Sequence, residues 1–335
     1  LESMPRQLPK TDAKAEADPN PDYPADLLAR QISGEVVIDY RVEPDGSVSG
    51  LNVLASSQPG FVRPSLEAIR RLKFSPSMQG DLPVQAKVRS PIQFSATAAR
   101  FSEGDDRQLE LNGFAFKFAE GQTTFDLFDK RPAIWTLQEV VFPRAAALAG
   151  KAGEATVNFD LNERGYPVNI AVASASSPEF AEAMIDALTF GAFKPAMKNG
   201  STVAVPMQWT HVFALPPDDP VEGESAEARL IRSLRKGETI STPKGLDARI
   251  RPLWRIAPIY PEALRAENPA PKGTAEIEFV IDREGRVRLP GVAAASHELF
   301  GRAAVVAVAQ WVFEPPTRGG EPVDVRVRLP LQFAP

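Results

Sequence analysis

The sequence has no cysteine and only two histidines, His211 and His297, in 335 residues. Disulfides, thiolate nucleophiles and cysteine metal sites are thereby excluded. Two histidines far apart, with no carboxylate at ligand spacing, make no metal site. No run of 18 apolar residues occurs, so no membrane-spanning helix is expected. Neither sign of charge dominates: 38 Lys and Arg stand against 43 Asp and Glu, a formal net charge of −5. That balance carries no electrostatic footprint for nucleic acid. No Gly-x-Ser-x-Gly elbow surrounds Ser56, Ser57, Ser174, Ser176 or Ser177. Gly319-Gly320 lacks the Lys and helix that follow in a phosphate loop. Residues 1–10 do not read as a signal peptide. The chain begins Leu1-Glu2-Ser3 rather than with Met, so a mature form, a trimmed form and a preceding export or anchor segment all stay open.

What the chain has in plenty is proline, 32 residues, and one pattern stated three times. Tyr23-Pro24, Phe142-Pro143 and Tyr260-Pro261 recur at steps of 119 and 118 residues. Phe74-x-Pro76, Phe193-x-Pro195 and Phe313-x-Pro315 follow at steps of 119 and 120, as do Phe94, Phe213 and Phe333. Three landmarks in constant register imply three copies of one small domain. A hydrophobic content of 43% suffices for packed cores. Small duplicated domains without a catalytic constellation point to binding rather than catalysis, so no enzyme and no cofactor are expected.

Each copy has the same internal order. A proline opens a short helix, at 24–30, 143–149 and 261–266, where its missing N–H leaves nothing unpaired. A glycine follows: Gly34, Gly153 or Gly273. Next comes a period-2 strand, with Val36, Ile38, Tyr40 and Val42 on its apolar side in copy one. Its counterparts are Ala155, Val157, Phe159 and Leu161, then Ala275, Ile277, Phe279 and Ile281. Turns at Pro44-Asp45-Gly46, Glu163-Arg164-Gly165 and Arg283-Glu284-Gly285 read as hairpins. A second strand, a serine-rich stretch and a helix at 65–73, 181–192 or 302–312 come next, and Phe-x-Pro is expected to end that helix. A final alternating strand closes each copy. Pro91, Pro206 and Pro330 lie in these strands and mark them as edges, since proline donates nothing to a ladder.

The expected fold is therefore α+β: three tandem domains, each a three-stranded antiparallel sheet with two helices on one face, in the order α-β-β-α-β. The boundaries are a flexible tail over 1–19, copy one over 20–98, a linker over 99–130, copy two over 131–216, a helix-bearing linker over 217–250 and copy three over 251–335. Leu109, Leu111, Phe114, Phe116 and Phe118 make the first linker too apolar for a plain connector, and 226–236 reads as the helix of the second. Both are expected to dock on neighbouring copies.

This order of landmarks resembles the C-terminal domain of TonB-family energy transducers. The family pattern is a Tyr-Pro helix start, a Gly-x-Val strand, an Asp-Gly turn, a Ser near the end of the second strand, a helix ending in aromatic-x-Pro and a strand ending in Phe. Copy one carries Tyr23-Pro24, Gly34-Glu35-Val36, Asp45-Gly46, Ser56-Ser57, Phe74-x-Pro76 and Phe94. Copy three carries Tyr260-Pro261, Gly273, Gly285, Ser296, Trp311, Phe313-x-Pro315 and Phe333. Copy two departs further, with Phe142 for Tyr and Arg164 at the acidic turn position.

The resemblance implies a periplasmic, non-enzymatic binding module. Its partners would be envelope proteins, TonB-dependent outer-membrane transporters among them, whose extended segments add a strand at a sheet edge. An inner-membrane anchor would lie outside these residues, and the family's membrane helix and Pro-rich spacer are absent from them. Carried over, the candidate contacts are the last strands and the residues before each Tyr-Pro: Asn20, Asp22, Val84, Lys87, Arg89, Glu139, Val203, Gln208, Val323, Arg326 and Arg328. Where the family often has Gln three residues before the Tyr, this chain has Asn20, Glu139 and Ala257. The cations of the last strands have two readings: they deter unwanted strand pairing, or they select an acidic peptide or a cell-wall polymer such as peptidoglycan. A structural or cell-wall-associated scaffold, with the copies packed on or paired with each other, is the alternative function. His211 reads as a core or boundary residue; His297, matched to Ser57 and Ser177, reads as loop polarity.

Overall fold

Each copy is built around the alternating strand read from its sequence: Gly34–Val42, Gly153–Leu161 and Gly273–Ile281. The computed structural model describes residues 10–96 and 108–335. Copy one forms one compact unit, and copies two and three together form another. The apolar positions of each first strand are buried, as the period of two requires. Each first strand is the middle of its sheet. It pairs antiparallel on one side with the second strand, Val48–Ser56, Pro167–Ala175 or Val287–Ala295. On the other side lies the last strand, Ala86–Phe94, Val205–Phe213 or Val325–Phe333.

One face of each sheet is covered by the longer helix, Pro59–Arg71, Pro178–Thr189 or Glu298–Ala309. The first two start on proline, with Phe61, Leu66 and Ile69, then Phe180, Met184 and Leu188, buried at helical spacing. All three helices begin earlier and end earlier than the sequence suggests. Phe-x-Pro does not close them: Phe74–Ser75, Ala192–Lys194 and Val312–Phe313 are short strands instead.

The architecture is thus richer than α-β-β-α-β. The short Phe-x-Pro strand pairs with a strand that precedes the copy's own Tyr-Pro: Lys14–Ala15, Ala133–Thr136 or Pro252–Trp254. A small hairpin stands between Phe-x-Pro and the last strand, for example Ala196–Lys198 with Ser201–Val203. Copy two also has a fourth strand in its main sheet, Phe114–Phe116. The stretch expected to be a flexible tail holds, in its described part, the strands Lys10–Thr11 and Lys14–Ala15; residues 1–9 of that tail and 97–107 of the first linker lie outside the described residues. Among the described residues, no helix is long and apolar enough to cross a membrane.

The repeated landmarks pair off in space. Tyr23, Phe61 and Phe94 form one aromatic cluster, with Phe61 and Phe94 stacked at 4.0 Å between ring centroids. Phe142, Phe180 and Phe213 repeat it, and so do Tyr260, Phe300 and Phe333. Tyr23 also donates its hydroxyl to the Ile32 carbonyl (2.6 Å) and Tyr260 to that of Pro271 (2.5 Å), which Phe142 has no means to do. The serine motif is equally local: Ser57, Ser176 and Ser296 accept the backbone N–H of Glu35, Glu154 and Thr274, each at 2.9 Å. His297 follows this serine and caps the long helix of copy three, its Nδ1 accepting from the Leu299 N–H at 3.1 Å. Its true counterparts by register are Gln58 and Ser177.

The other pairing joins the hairpin turn to Phe-x-Pro. Gly165 and Gly285 have φ of 83° and 82°, a left-handed backbone that glycine adopts without strain. Their carbonyls accept the N–H of Phe193 and Phe313 at 2.8 Å, and in copy one the Gly46 carbonyl accepts from Phe74 at 3.3 Å. A Cβ at any of the three glycines would collide with the carbonyl oxygen of that same phenylalanine. The turn amides donate to a side-chain oxygen at its start, Asn162 in copy two and Asp282 in copy three, so Arg164 leaves the turn intact.

Copies two and three join through helices and turns. Arg144 bonds Glu278 (2.7 Å) and the carbonyl of Leu289 (2.8 Å); Arg302 bonds Asp186 (2.6 Å). Leu289 holds φ of 49°, uncommon for a leucine, at a bulge where copies one and two carry Gly50 and Asn169. The second linker docks on copy three: its helix Ala226–Arg235 is anchored by Arg229, bidentate on Asp324 at 2.5 and 2.9 Å.

Gly165→Ala is expected to cost about 1–3 kcal/mol for backbone strain alone and more for the collision with Phe193. Gly200, with φ of 79° and no atom within 4 Å of an added Cβ, is the control. Chemical denaturation of the two variants should show the larger loss at Gly165; equal losses would refute the clasp.

Candidate functional site

A last strand at the end of a sheet shows a row of backbone groups pointing away from its neighbour. Register fixes which residues these are. In copy two, Thr210 donates its N–H to the Gly113 carbonyl (3.0 Å), and the Pro206 carbonyl accepts from Lys117 (3.0 Å). The outward row is therefore Pro206, Gln208, Thr210 and Val212, because antiparallel residues two apart point the same way. The equivalent rows are Lys87, Arg89, Pro91 and Gln93 in copy one, and Arg326, Arg328, Pro330 and Gln332 in copy three. The prolines read as edge markers sit in the outward row, where a missing N–H leaves no ladder bond unmade, although in copy two that row is occupied.

The three edges differ in what covers them. In copy two, Phe114–Phe116 pairs antiparallel with Met207–Trp209, Ala115 opposite Gln208. Phe114 is buried, stacked on Trp209 at 4.9 Å and 10° between planes, and touches Phe159 and Phe193 edge-on. Phe116 meets Phe128 at 4.7 Å. Trp209 Nε1 donates to the Asn112 carbonyl (2.8 Å), and Gln108 takes the Ile134 N–H (2.8 Å). This segment buries Met207 and Trp209 completely, whereas Val88 and Ser90 in copy one, and Val327 and Leu329 in copy three, stay half-buried. Among the described residues no strand pairs with the outer side of Ala86–Phe94 or Val325–Phe333. Copy three has one approach at its near end, where Arg326 donates its N–H to the Ser241 carbonyl (2.8 Å).

The candidate residues sort by these facts. Lys87, Arg89 and Arg328 lie in open outward rows, Arg326 beside Ser241, and Gln208 in the occupied row. Val84, Val203 and Val323 are not on the last strands. Val84 and Val203 belong to the small hairpins, opposite Ser77 and Ala196, and Val323 donates its N–H to the Pro316 carbonyl (2.9 Å). Glu139 is engaged with Arg286 (3.3 Å) and Arg288 (3.8 Å) of copy three. Asp22 pairs with Arg71 (3.2 Å), and Asn20 is exposed. The residues before Tyr-Pro thus serve ion pairs where they are engaged, within copy one for Asp22 and between copies two and three for Glu139. His211 is half-buried with its ring edge-on to Phe213 at 4.7 Å.

The cations are less free than their sequence positions suggest. Arg89 forks onto Asp39 at 2.6 and 3.0 Å, and Lys87 adds a third contact at 3.6 Å. The Arg89 hydrogen bond, reinforced by the charges of Arg89 and Lys87, holds the Asp39 carboxyl below the usual aspartate range against the opposing pull of desolvation. Arg328 reaches Glu278 (3.4 Å) and Glu276 (3.8 Å). The sequence signal for the fourth strand was its aromatic alternation, Phe114, Phe116 and Phe118; nothing in the sequence pointed to Ser241.

Two outcomes follow. Phe114→Ala should destabilise copy two by about 3–5 kcal/mol and speed hydrogen exchange at the Thr210 amide selectively; unchanged exchange there would refute the docked strand. Asp39, depressed in the fold, favours folding at neutral pH, and this contribution fades as pH falls through its lowered value. Arg89→Gln should move the Asp39 titration upward when followed by NMR, and an unmoved titration would show that the ion pair is not its cause.

Comparison with known proteins agrees with the repeat. The profile of the family described as Gram-negative bacterial TonB protein C-terminal matches residues 19–96, 138–215 and 256–335, more than half of the chain. No curated protein sequence matches. Among solved structures, the solution NMR structure of the Pseudomonas aeruginosa TonB CTD is 26% identical, over 27% of this chain and 92% of that one, with a TM-score of 0.24. Three times over, with a sheet, a covering helix and an aromatic-closed last strand in each, this chain is a non-catalytic member of the TonB C-terminal family.

Proposed function

We propose that this is a periplasmic protein-binding protein that engages extended segments of envelope proteins, outer-membrane transporters among them, by strand addition at the open last strands of copies one and three. The observation that carries this reading is the state of copy two. There an extended segment of the same chain already lies along the equivalent edge, antiparallel and in register. Among the described residues, a surface that accepts one strand in copy two has no paired strand in the other two.

Backbone bonds supply the affinity of such an addition, and the half-buried apolar positions beneath the edge supply selectivity. Two open edges on one chain give a partner with two segments the gain of a linked second contact. The scaffold reading draws less support. Copies two and three pack through Arg144, Arg302 and their partners, which lie on helices and on the first and second strands of copy three. A cell-wall polymer such as peptidoglycan would seek a cluster of free cations; Lys87 and Arg89 are instead paired with Asp39, which leaves Arg326, and Arg328 with its longer contacts, in copy three alone.

Photo-crosslinking residues at positions 89, 208 and 328, with the whole chain in an envelope extract, test the reading. Envelope proteins captured through extended segments at 89 and 328, with little at 208, are the expected result. Equal capture at all three positions, or recovery of no envelope protein at the open edges, would overturn it.

A further inference from the structure

We propose that the open edge of copy three selects an antiparallel extended segment of alternating aromatic and acidic residues, Phe-Glu-Phe-Glu in character. The inference rests on strand addition at that edge and assigns the chemistry of the occupant.

The strand docked on copy two supplies the register. Phe114 faces Trp209, Ala115 faces Gln208 and Phe116 faces Met207. The next pair outward is Lys117 with Pro206, through the Lys117 N–H. Translated to copy three by the repeat, the four facing residues become Leu329, Arg328, Val327 and Arg326.

Two of these lie on the inner side of the sheet. Val327 and Leu329 pack against the core of copy three yet remain partly exposed. Large flat side chains at the two inward positions of a ligand would cover them, as Phe114 and Phe116 cover Trp209 and Met207. The other two lie on the outer side and are cationic. Arg328 makes only long contacts to Glu276 and Glu278, and Glu278 already bonds Arg144 at 2.7 Å. Arg326 is exposed, and among the described residues no carboxylate lies within ion-pair distance of it. Opposite charges across a strand pair stabilise it and like charges oppose it. Acidic residues therefore belong where Ala115 and Lys117 sit in the docked strand. The chain's own segment would set Lys117 against Arg326, a like-charge pair that disfavours its transfer from copy two to copy three.

The backbone agrees with a short ligand. Arg328 and Gln332 offer both N–H and carbonyl, Pro330 only a carbonyl, and Arg326 only the carbonyl that Lys117 uses at the equivalent Pro206, its N–H being taken by Ser241. The open run is thus bounded by Ser241 at one end.

Three synthetic peptides added to the whole chain test this, read by NMR shifts of the Leu329 and Gln332 amides. The first has the sequence of residues 111–119, Leu-Asn-Gly-Phe-Ala-Phe-Lys-Phe-Ala. The second replaces Ala115 and Lys117 of that sequence with Glu, and the third further replaces Phe114 and Phe116 with Ser. The second should bind about tenfold tighter than the first, as two charge pairs of the cross-strand kind allow, and tighter than the third. In the Arg326→Glu protein the preference for the second over the first should shrink or reverse. Arg326 is exposed and without an ion pair, so this variant is expected to keep its fold, checked by its amide spectrum. Equal binding of all three, or a preference unmoved by Arg326→Glu, overturns the proposed chemistry while strand addition at the edge survives. No shift of either amide by any peptide overturns both.

Discussion

The contact on which each copy depends is the backbone clasp between the hairpin-turn glycine and the phenylalanine of Phe-x-Pro. Through it the far end of the first hairpin is tied to the chain just after the long helix. The helix is thereby held across one face of the sheet, and the chain is delivered to the start of the last strand on the free side of the first. The last strand then returns antiparallel, and its closing phenylalanine meets the aromatic residue of the long helix in every copy and, in copies one and two, the aromatic residue before the opening proline. A side chain at the glycine would collide with the phenylalanine carbonyl, so the close approach and the residue type are one constraint. It leaves the last strand on the outer side of the three repeated strands in every copy, at the sheet's end in copies one and three and beneath Phe114–Phe116 in copy two.

On that common frame the three copies diverge at their edges. Copy two has Trp209 where copy one has Ser90 and copy three Leu329, and the larger ring is covered by Phe114. Copy two alone has a donor, Thr210, where the other two have proline. An aromatic platform and an intact donor are the two things an added strand uses, packing and a ladder bond, and copy two has both. The other edges keep a proline in the row and cations beside it, features that resist indiscriminate pairing while leaving the carbonyls and the remaining amides of the row open.

Much of this was legible in the residues. The period-two strands are buried where alternation places them, because a strand has only two faces and one must meet the helix. The repeat register correctly identified the edge prolines, because proline in a sheet has few places to be. The long helices were misplaced at both ends: Pro59 and Pro178 start them, and the Phe-x-Pro stretch is extended because it pairs with a strand from before Tyr-Pro. Such pairings join residues some sixty positions apart, and local pattern carries no trace of them. For the same reason Val84, Val203 and Val323 looked like the start of the last strand. Alternation runs on through the small hairpin, and only the pairing partner separates the two.

The sequence by itself determined that one unit occurs three times, what each unit's core contains, and that its last strand closes the three repeated strands, an edge in copies one and three but covered by Phe114–Phe116 in copy two. These follow from spacing, alternation and the chemistry of glycine and proline, which act over a few residues. Which edges stay open was decided only by tertiary structure. Whether an aromatic segment such as 114–118 lies on copy two or elsewhere depends on the pocket made by Phe159, Phe193 and Trp209. That pocket exists only once strands distant in sequence have come together.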